Sequence, residues 1–177
     1  MIVDEVATDQ PSAKEYYFER ILTQIGAKIA CAIGWSVFRK FSYIMNGYLL
    51  DTCICVFLFR NKFNVKDKLN EIGCSNCYIS DVTLAELKFG AYKSNQCERN
   101  LFIIKEFISE IGIVPFIEGI DIYSQDKAML HRKGTPIEDF DLLIASAAKA
   151  RDLTLVTDNV KHFKGIDNLM IENWVIR

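Results

Sequence analysis

The chain has 177 residues, half of them hydrophobic and a quarter charged, with a formal net charge of -2. This is ordinary globular composition, long enough to bury roughly two-thirds of the unfolded surface without disulfide or metal staples. Near-neutrality excludes steering of a polyanion by a strongly basic whole-molecule field but leaves local basic patches open.

Residues 1–45 differ from the rest. They open with Asp4, Glu5, Asp9 and Glu15, then turn apolar and basic from Ile29 to Lys40. The apolar run is too short to span a bilayer, Lys28 interrupts it on one side, and the basic front of a secretory leader is missing. Three readings stand: an amphipathic helix docked on the domain, a membrane-surface helix, or sequence outside the natural gene product. Met45-Asn46-Gly47 directly precedes the first core strand, so the domain is expected over residues 46–177, with 1–45 as an extension.

From Tyr48 onward strands and helices alternate. Tyr48-Leu49-Leu50 predicts a central strand, and the segment from Thr52 through Leu58 a helix apolar on nearly all sides. A basic connection through Arg60, Lys62, Lys66 and Lys68 leads to a second strand at Tyr78-Ile79. The next helix carries Val82, Ala85, Phe89 and Tyr92 as its apolar stripe, with Glu86 at the border. Leu101, Ile104, Ile108 and Ile111 predict an amphipathic helix with Gly112 as its stop. Ile113-Val114-Pro115-Phe116 follows as an edge strand or strand end, because proline cannot donate to a ladder. A helix is expected over about 119–132, pairing Ile122 with Met129 and Tyr123 with Leu130. Gly134-Thr135-Pro136 then turns into a buried helix at about 140–150. Leu153 to Thr157 is the last strong strand, and Leu169-Met170-Ile171 closes the sheet. Such alternation predicts a three-layer α/β/α domain with a mostly parallel central sheet.

Acidic residues gather at the ends of these apolar segments. Asp51 follows the first strand, where it reads either as a helix N-cap or as a metal ligand. Glu86 stands three residues after Thr83, a capping-box spacing; with Ser80 or Asp81 as the cap, Glu86 instead lies one turn in and needs a partner such as a cation. Of Asp139 and Asp141, Asp139 is assigned the cap and Asp141 the chemistry. Thr157-Asp158-Asn159 is a strand-ending turn or a source of further oxygen ligands. Carboxylates at the carboxyl ends of parallel strands lie where α/β sheets bind ligands, and several together suit a hard divalent cation. His131 and His162 receive no catalytic role, and no Gly-rich phosphate loop is present. The pairs Cys53-Ile54-Cys55 and Cys74-Ser75-Asn76-Cys77 have zinc-like spacing, but packing as small apolar residues is the favoured reading. With six scattered cysteines and no leader, reduced thiols and a cytoplasmic protein are expected.

Four segments in order resemble the motifs of PIN-domain ribonucleases of the VapC toxin type. They are Tyr48-Leu49-Leu50-Asp51-Thr52, Ile79 through Ala91, Pro136 through Ala145, and Leu155 through Phe163 with Leu169 through Trp174. The resemblance implies an endoribonuclease dependent on Mg²⁺ or Mn²⁺, acting on RNA and neutralised by a cognate antitoxin, with homodimers common in the family and no membrane partner. It places the family's acidic residues on Asp51, Glu86 and Asp141. The fourth position falls on Asn159, with Asp158 as a weaker metal ligand one residue off register; Thr52, Thr157 and Asn159 support the cluster. Cys53 stands where the family often has Asn. Arg60, Lys62, Lys88 and Lys93 are the candidates for holding phosphates. Two other readings remain: a non-catalytic PIN-like module that binds RNA or protein, and a dehalogenase-type phosphatase, which wants a second Asp where Cys53 sits.

Overall fold

The structure, a computed structural model, describes residues 47–177. The expectations for residues 1–45 lie outside the described residues. Five strands form one wholly parallel sheet in the order β3-β2-β1-β4-β5, with β1 at Tyr48–Leu50, β2 at Cys77–Ser80, β3 at Gly112–Val114, β4 at Thr154–Val156 and β5 at Ile171–Glu172. The described helices are α1 (Thr52–Phe59), α2 (Val65–Ile72), α3 (Asp81–Tyr92), α4 (Cys97–Glu110), α5 (Ile120–Lys133), α6 (Asp139–Ala150) and the single-turn α7 (Val160–Phe163).

The strands are two to four residues long, so each side chain counts. Successive residues point to opposite faces. Leu50, Ile79 and Val156 therefore join Ile54 and Cys55 of α1, Leu69 of α2, Leu87 of α3 and Ile104 of α4 in one core. Leu49, Val114 and Leu155 face the other way, onto Leu130 of α5, Leu142 and Ile144 of α6 and Phe163 of α7. Both faces are covered, as an all-parallel sheet requires. Burying a leucine such as Leu49 or Leu50 contributes roughly 1.5–3 kcal/mol, and both are almost fully buried. The alternation pattern and the three-layer class expected from the sequence are present.

Two local expectations are corrected. The first concerns α3, where Phe89 and Tyr92 are each 69% exposed while Thr83, Leu87 and Ala91 are buried. The Ser80 hydroxyl at the end of β2 accepts from the Thr83 amide at 2.9 Å and its oxygen lies 3.0 Å from the Thr83 hydroxyl. That cap sets the rotation of the helix and turns the bulkier stripe outward. The second is Gly112, which does not terminate α4 but opens β3, paired with Tyr78. A Cβ there would meet the Tyr78 ring at 2.3 Å, so glycine is required by close approach. A polar pair not singled out from the sequence also joins two helices: Asp126 of α5 is buried and paired with Lys149 of α6 at 2.6 Å. Pro115 does sit at the end of an edge strand, and Gly134 ends α5 in the left-handed conformation with its amide donating to His131.

The strand order reverses between β1 and β4, which leave the chain path in opposite directions from the centre of the sheet. That switch point opens a crevice at the carboxyl ends of the strands. Asp51 and Thr157 are the residues that follow β1 and β4 there.

Candidate active site

Asp51 caps α1 in extended conformation, its Oδ1 accepting from the Thr52 amide at 2.7 Å. Its own amide donates to Val156 of β4 at 3.0 Å, which ties the two strand ends together. Oδ2 accepts from the Thr157 hydroxyl at 2.7 Å and from the Cys53 thiol at 3.2 Å. The cap and the site are thus one residue, with one oxygen for each. Cys53 supplies a donor to Asp51, and burial together with the Asp51 charge pushes its thiol up to about 12, so it stays protonated.

Glu86, one turn and a half into α3, is half-buried and accepts from the Thr52 hydroxyl at 2.5 Å. Asp141 lies in the first turn of α6. Its carboxyl is raised above the usual range, first by burial and then by the charge of Asp51, against the opposing influence of His162; Glu138 and Glu86 raise it further. Asp51 and Glu86 thus both bear on Asp141, although Asp51 and Asp141 stand 90 positions apart in the chain. Asp139 is not the cap: the N-cap position is Glu138, without a side-chain cap bond, and Asp139 instead accepts from Lys127 at 2.5 Å and Tyr123 at 3.1 Å. A lysine one helix away outcompetes the backbone because it brings a full charge.

Asp158 is not drawn into this cluster. Its carboxylate is held by Arg177 and by the Asn173 amide at the end of the chain. Asn159 is exposed and contributes its backbone amide to Thr157 Oγ1 at 3.1 Å rather than its side chain. His162, given no role from sequence, stands on α7 with Nε2 at 2.9 Å from Asp141 Oδ2. Only the short helix after β4, which folds the chain back over the strand end, brings it there.

Beside Glu86 and Thr52 a cleft of about 380 Å³ runs between α1, α3 and α4. Arg60 lines it, as does Arg99, which the sequence did not single out. Lys62, Lys88 and Lys93 are exposed and lie outside its lining.

The donor chemistry is all oxygen at Asp51, Glu86 and Asp141, the preference of Mg²⁺ and Mn²⁺. Among the described residues no three His, Cys, Asp or Glu side chains are gathered tightly enough to enclose an ion. A cation held by these oxygens would keep several of its own waters, as Mg²⁺ does. No zinc-like cluster forms from the cysteines: Cys55 and Cys77 are buried in the core. No described helix is long and apolar enough to cross a membrane.

A wholly parallel sheet covered by helices on both faces, with acidic residues at its switch point, defines the chain as an α/β domain of three layers. The PIN domain pattern matches residues 48–169. The tRNA(fMet)-specific endonuclease VapC of Salmonella typhimurium is 38% identical over 132 residues, covering 73% of this chain and 99% of that protein. Ribonuclease VapC2 of Rickettsia felis is 39% identical over 135 residues, 72% of this chain and 97% of that one. Among solved structures, DNA-bound VapBC of Salmonella typhimurium superposes with a TM-score of 0.69 at 36% identity, covering 73% of this chain and 98% of that one. Promoter-bound VapBC2 of Rickettsia felis gives 0.67 at 38% identity, with 72% and 98% covered. The chain belongs to the PIN-domain family, in its VapC ribonuclease branch.

Proposed function

We propose that residues 46–177 form an endoribonuclease that uses Mg²⁺ or Mn²⁺ held at Asp51, Glu86 and Asp141, and that it is the toxin of a toxin–antitoxin pair acting in the cytoplasm. What supports this is the family match over the domain together with the preparation of Asp51 and Glu86 at the carboxyl edge of the sheet, where Thr157 and Cys53 hold Asp51 and Thr52 holds Glu86. Repelling carboxylates in a crevice are stabilised by a bound cation and would otherwise repel an RNA phosphate as well. The reaction is hydrolysis: a water oxygen adds to phosphorus, the P–O bond to the departing ribose oxygen breaks, and a proton ends on that oxygen. When bound, the cation lowers the pKa of a coordinated water and neutralises charge on the phosphoryl oxygens.

The chain's own residues prepare that centre. Thr157 and Cys53 hold Oδ2 of Asp51, and Thr52 holds Oε2 of Glu86, so both carboxylates are oriented before substrate arrives. Arg60 and Arg99 line the adjoining cleft and would grip flanking phosphates without reading bases. Lys62, Lys88 and Lys93 extend the reach along the strand outside it. Sequence choice then requires unpaired bases, so a structured RNA with an exposed loop is the proposed substrate class. A relative named for action on tRNA(fMet) supports a transfer RNA as the first substrate to try.

The antitoxin partner is supported by the structural neighbours, which are VapBC complexes. A homodimer is proposed on the family resemblance, and residues 1–45 are proposed to lie outside the nuclease domain, since about 132 residues account for nearly the whole length of the Salmonella relative. The test is cleavage of transfer RNA by the purified protein in Mg²⁺. Asp51→Asn and Asp141→Asn should each abolish cleavage, and a chelator should do the same to the wild type. Undiminished cutting by both variants overturns the site; RNA held equally well in chelator and never cut identifies a binding module instead.

A further inference from the structure

The cleft beside Glu86 and Thr52 holds features that neither the fold nor the metal chemistry uses. Gly90 lines it, in the last turn of α3. A Cβ on Gly90 would meet nothing within 4 Å, and its φ is not left-handed, so neither a close approach nor a turn asks for glycine there. Glycine is nonetheless the poorest helix former after proline. Its missing side chain keeps the cleft open. Phe59, steadied by an edge-on contact with Phe107 at 5.2 Å between centroids, supplies an aromatic wall, and Val56 and Ile103 are apolar beside it. The polar lining is set in advance. Asn100 Nδ2 donates to Ser94 Oγ at 2.8 Å, which leaves its Oδ1 as an acceptor. Gln96 Oε1 accepts from Arg99 at 3.0 Å, which leaves its Nε2 as a donor. Neither remaining atom has a partner among the described residues, and neither Arg60 nor Arg99 forms an ion pair among them.

Apolar walls, an unused donor and acceptor, and two guanidinium groups match one unpaired nucleotide, which brings a base to stack and hydrogen-bond and a phosphate on either side. A volume of about 380 Å³ is at the small end of ligand sites. Two turns of helix, about 10 Å across and about 11 Å long, occupy roughly 850 Å³ and do not enter it. An extended peptide would bring its backbone amides against walls made of helices, whose own backbone groups are already bonded. We propose that this cleft seats the unpaired base next to the scissile phosphate, with Gln96 and Asn100 reading its edge and Gly90 leaving it room. This rests on the ribonuclease function proposed above. It separates sequence choice from the carboxylates: Arg60 and Arg99 hold phosphates of any sequence, while the two side-chain amides accept only a base edge that offers the matching groups.

The test uses the full chain with Mg²⁺ or Mn²⁺ and a pool of hairpin RNAs with randomised loops, the cut ends being read by sequencing. The wild type should show a base preference at one position flanking the cut. Gln96→Ala combined with Asn100→Ala should weaken that preference by at least about fivefold and leave preferences elsewhere in the loop as they were. Gly90→Leu should raise KM for the preferred loop by about tenfold or more, with kcat falling less, because it fills the seat and not the reaction centre. Thermal melting checks that the variants fold; should Gly90→Leu fail to, the Gln96 and Asn100 pair decides alone. A preference unchanged in that pair, or a wild type that cuts without preference beside the cut, overturns the base seat and leaves the nuclease reading standing. A Gly90→Leu variant that cuts as the wild type does but no longer binds the antitoxin assigns the cleft to a protein segment and also overturns it. A wild type that cuts nothing overturns both.

Discussion

Thr157 offers a measurement in which stability and activity should move together. Its side chain is fully buried, its hydroxyl donates to Asp51 Oδ2 at 2.7 Å, and the same oxygen accepts from the Asn159 amide at 3.1 Å. Thr157→Val keeps the shape and removes both bonds. Asp51 is 7% exposed, so water does not readily replace the lost donor. A hydrogen bond to a charged group is worth about 1.5–3 kcal/mol, and the orphaned amide adds a smaller cost. For a chain of this size, about 2 kcal/mol corresponds to a fall in Tm of roughly 4–8 °C. Release of the Asp51 carboxylate should also cut ribonuclease turnover by about 10- to 100-fold, the usual effect of removing a group that orients a metal ligand. Thr157→Ser is the control. It keeps the hydroxyl and loses a methyl, so it should lose about 1 kcal/mol of stability and little activity. Urea denaturation and transfer-RNA cleavage read the two quantities. A valine variant within about 0.5 kcal/mol of wild type that cleaves at the wild-type rate would refute the reasoning, since an ordinary surface substitution does no more.

Three further outcomes are expected. Lys149→Met strands the buried Asp126 carboxylate and should destabilise the domain by about 3–5 kcal/mol, whereas combining it with Asp126→Leu should recover most of the loss; equal losses in single and double variants would contradict this. Gly112→Ala drives a Cβ into the Tyr78 ring and should cost about 1–3 kcal/mol in urea unfolding, an effect that Tyr78→Ala relieves in the double variant. Burial pushes the Cys77 thiol up to about 12 and the Cys55 thiol well above its usual range. The unfolded thiols ionise near about 8.5, so the unfolded chain loses protons first and stability present below that pH is lost as pH rises toward the folded value. Urea midpoints should fall between neutral pH and pH about 10.5, and the fall should be smaller in Cys77→Ala.

Much of the domain was legible because its local and global signals agree. Tyr48-Leu49-Leu50 and Thr154-Leu155-Val156 are short apolar runs with turn residues at their ends, and a parallel sheet covered on both faces needs such runs. The order of acids, Asp51, Glu86, Asp141, was readable for a related reason: strand ends and helix starts are where polar residues interrupt apolar segments. What the sequence left open were rotations and distances. The period of α3 permitted two inward stripes, and the Ser80 cap, whose effect depends on where β2 ends, chose Thr83, Leu87 and Ala91 over Phe89 and Tyr92. Asp139 and Asp141 are equivalent on paper; Lys127 from α5 took the first, and the crevice received the second. Asp158 is chemically a good ligand, yet the tail residues Asn173 and Arg177 occupy it.

Sequence by itself determined the alternation of elements, the residues available for the core and which acids stand at segment ends, because each depends on near neighbours and on a period of two or 3.6. Tertiary structure alone decided that Cys53 and Thr157 hold Asp51, that Thr52 holds Glu86, and that His162 reaches Asp141. Contacts between residues separated by dozens of positions are set by strand order and helix rotation, and no local pattern encodes those.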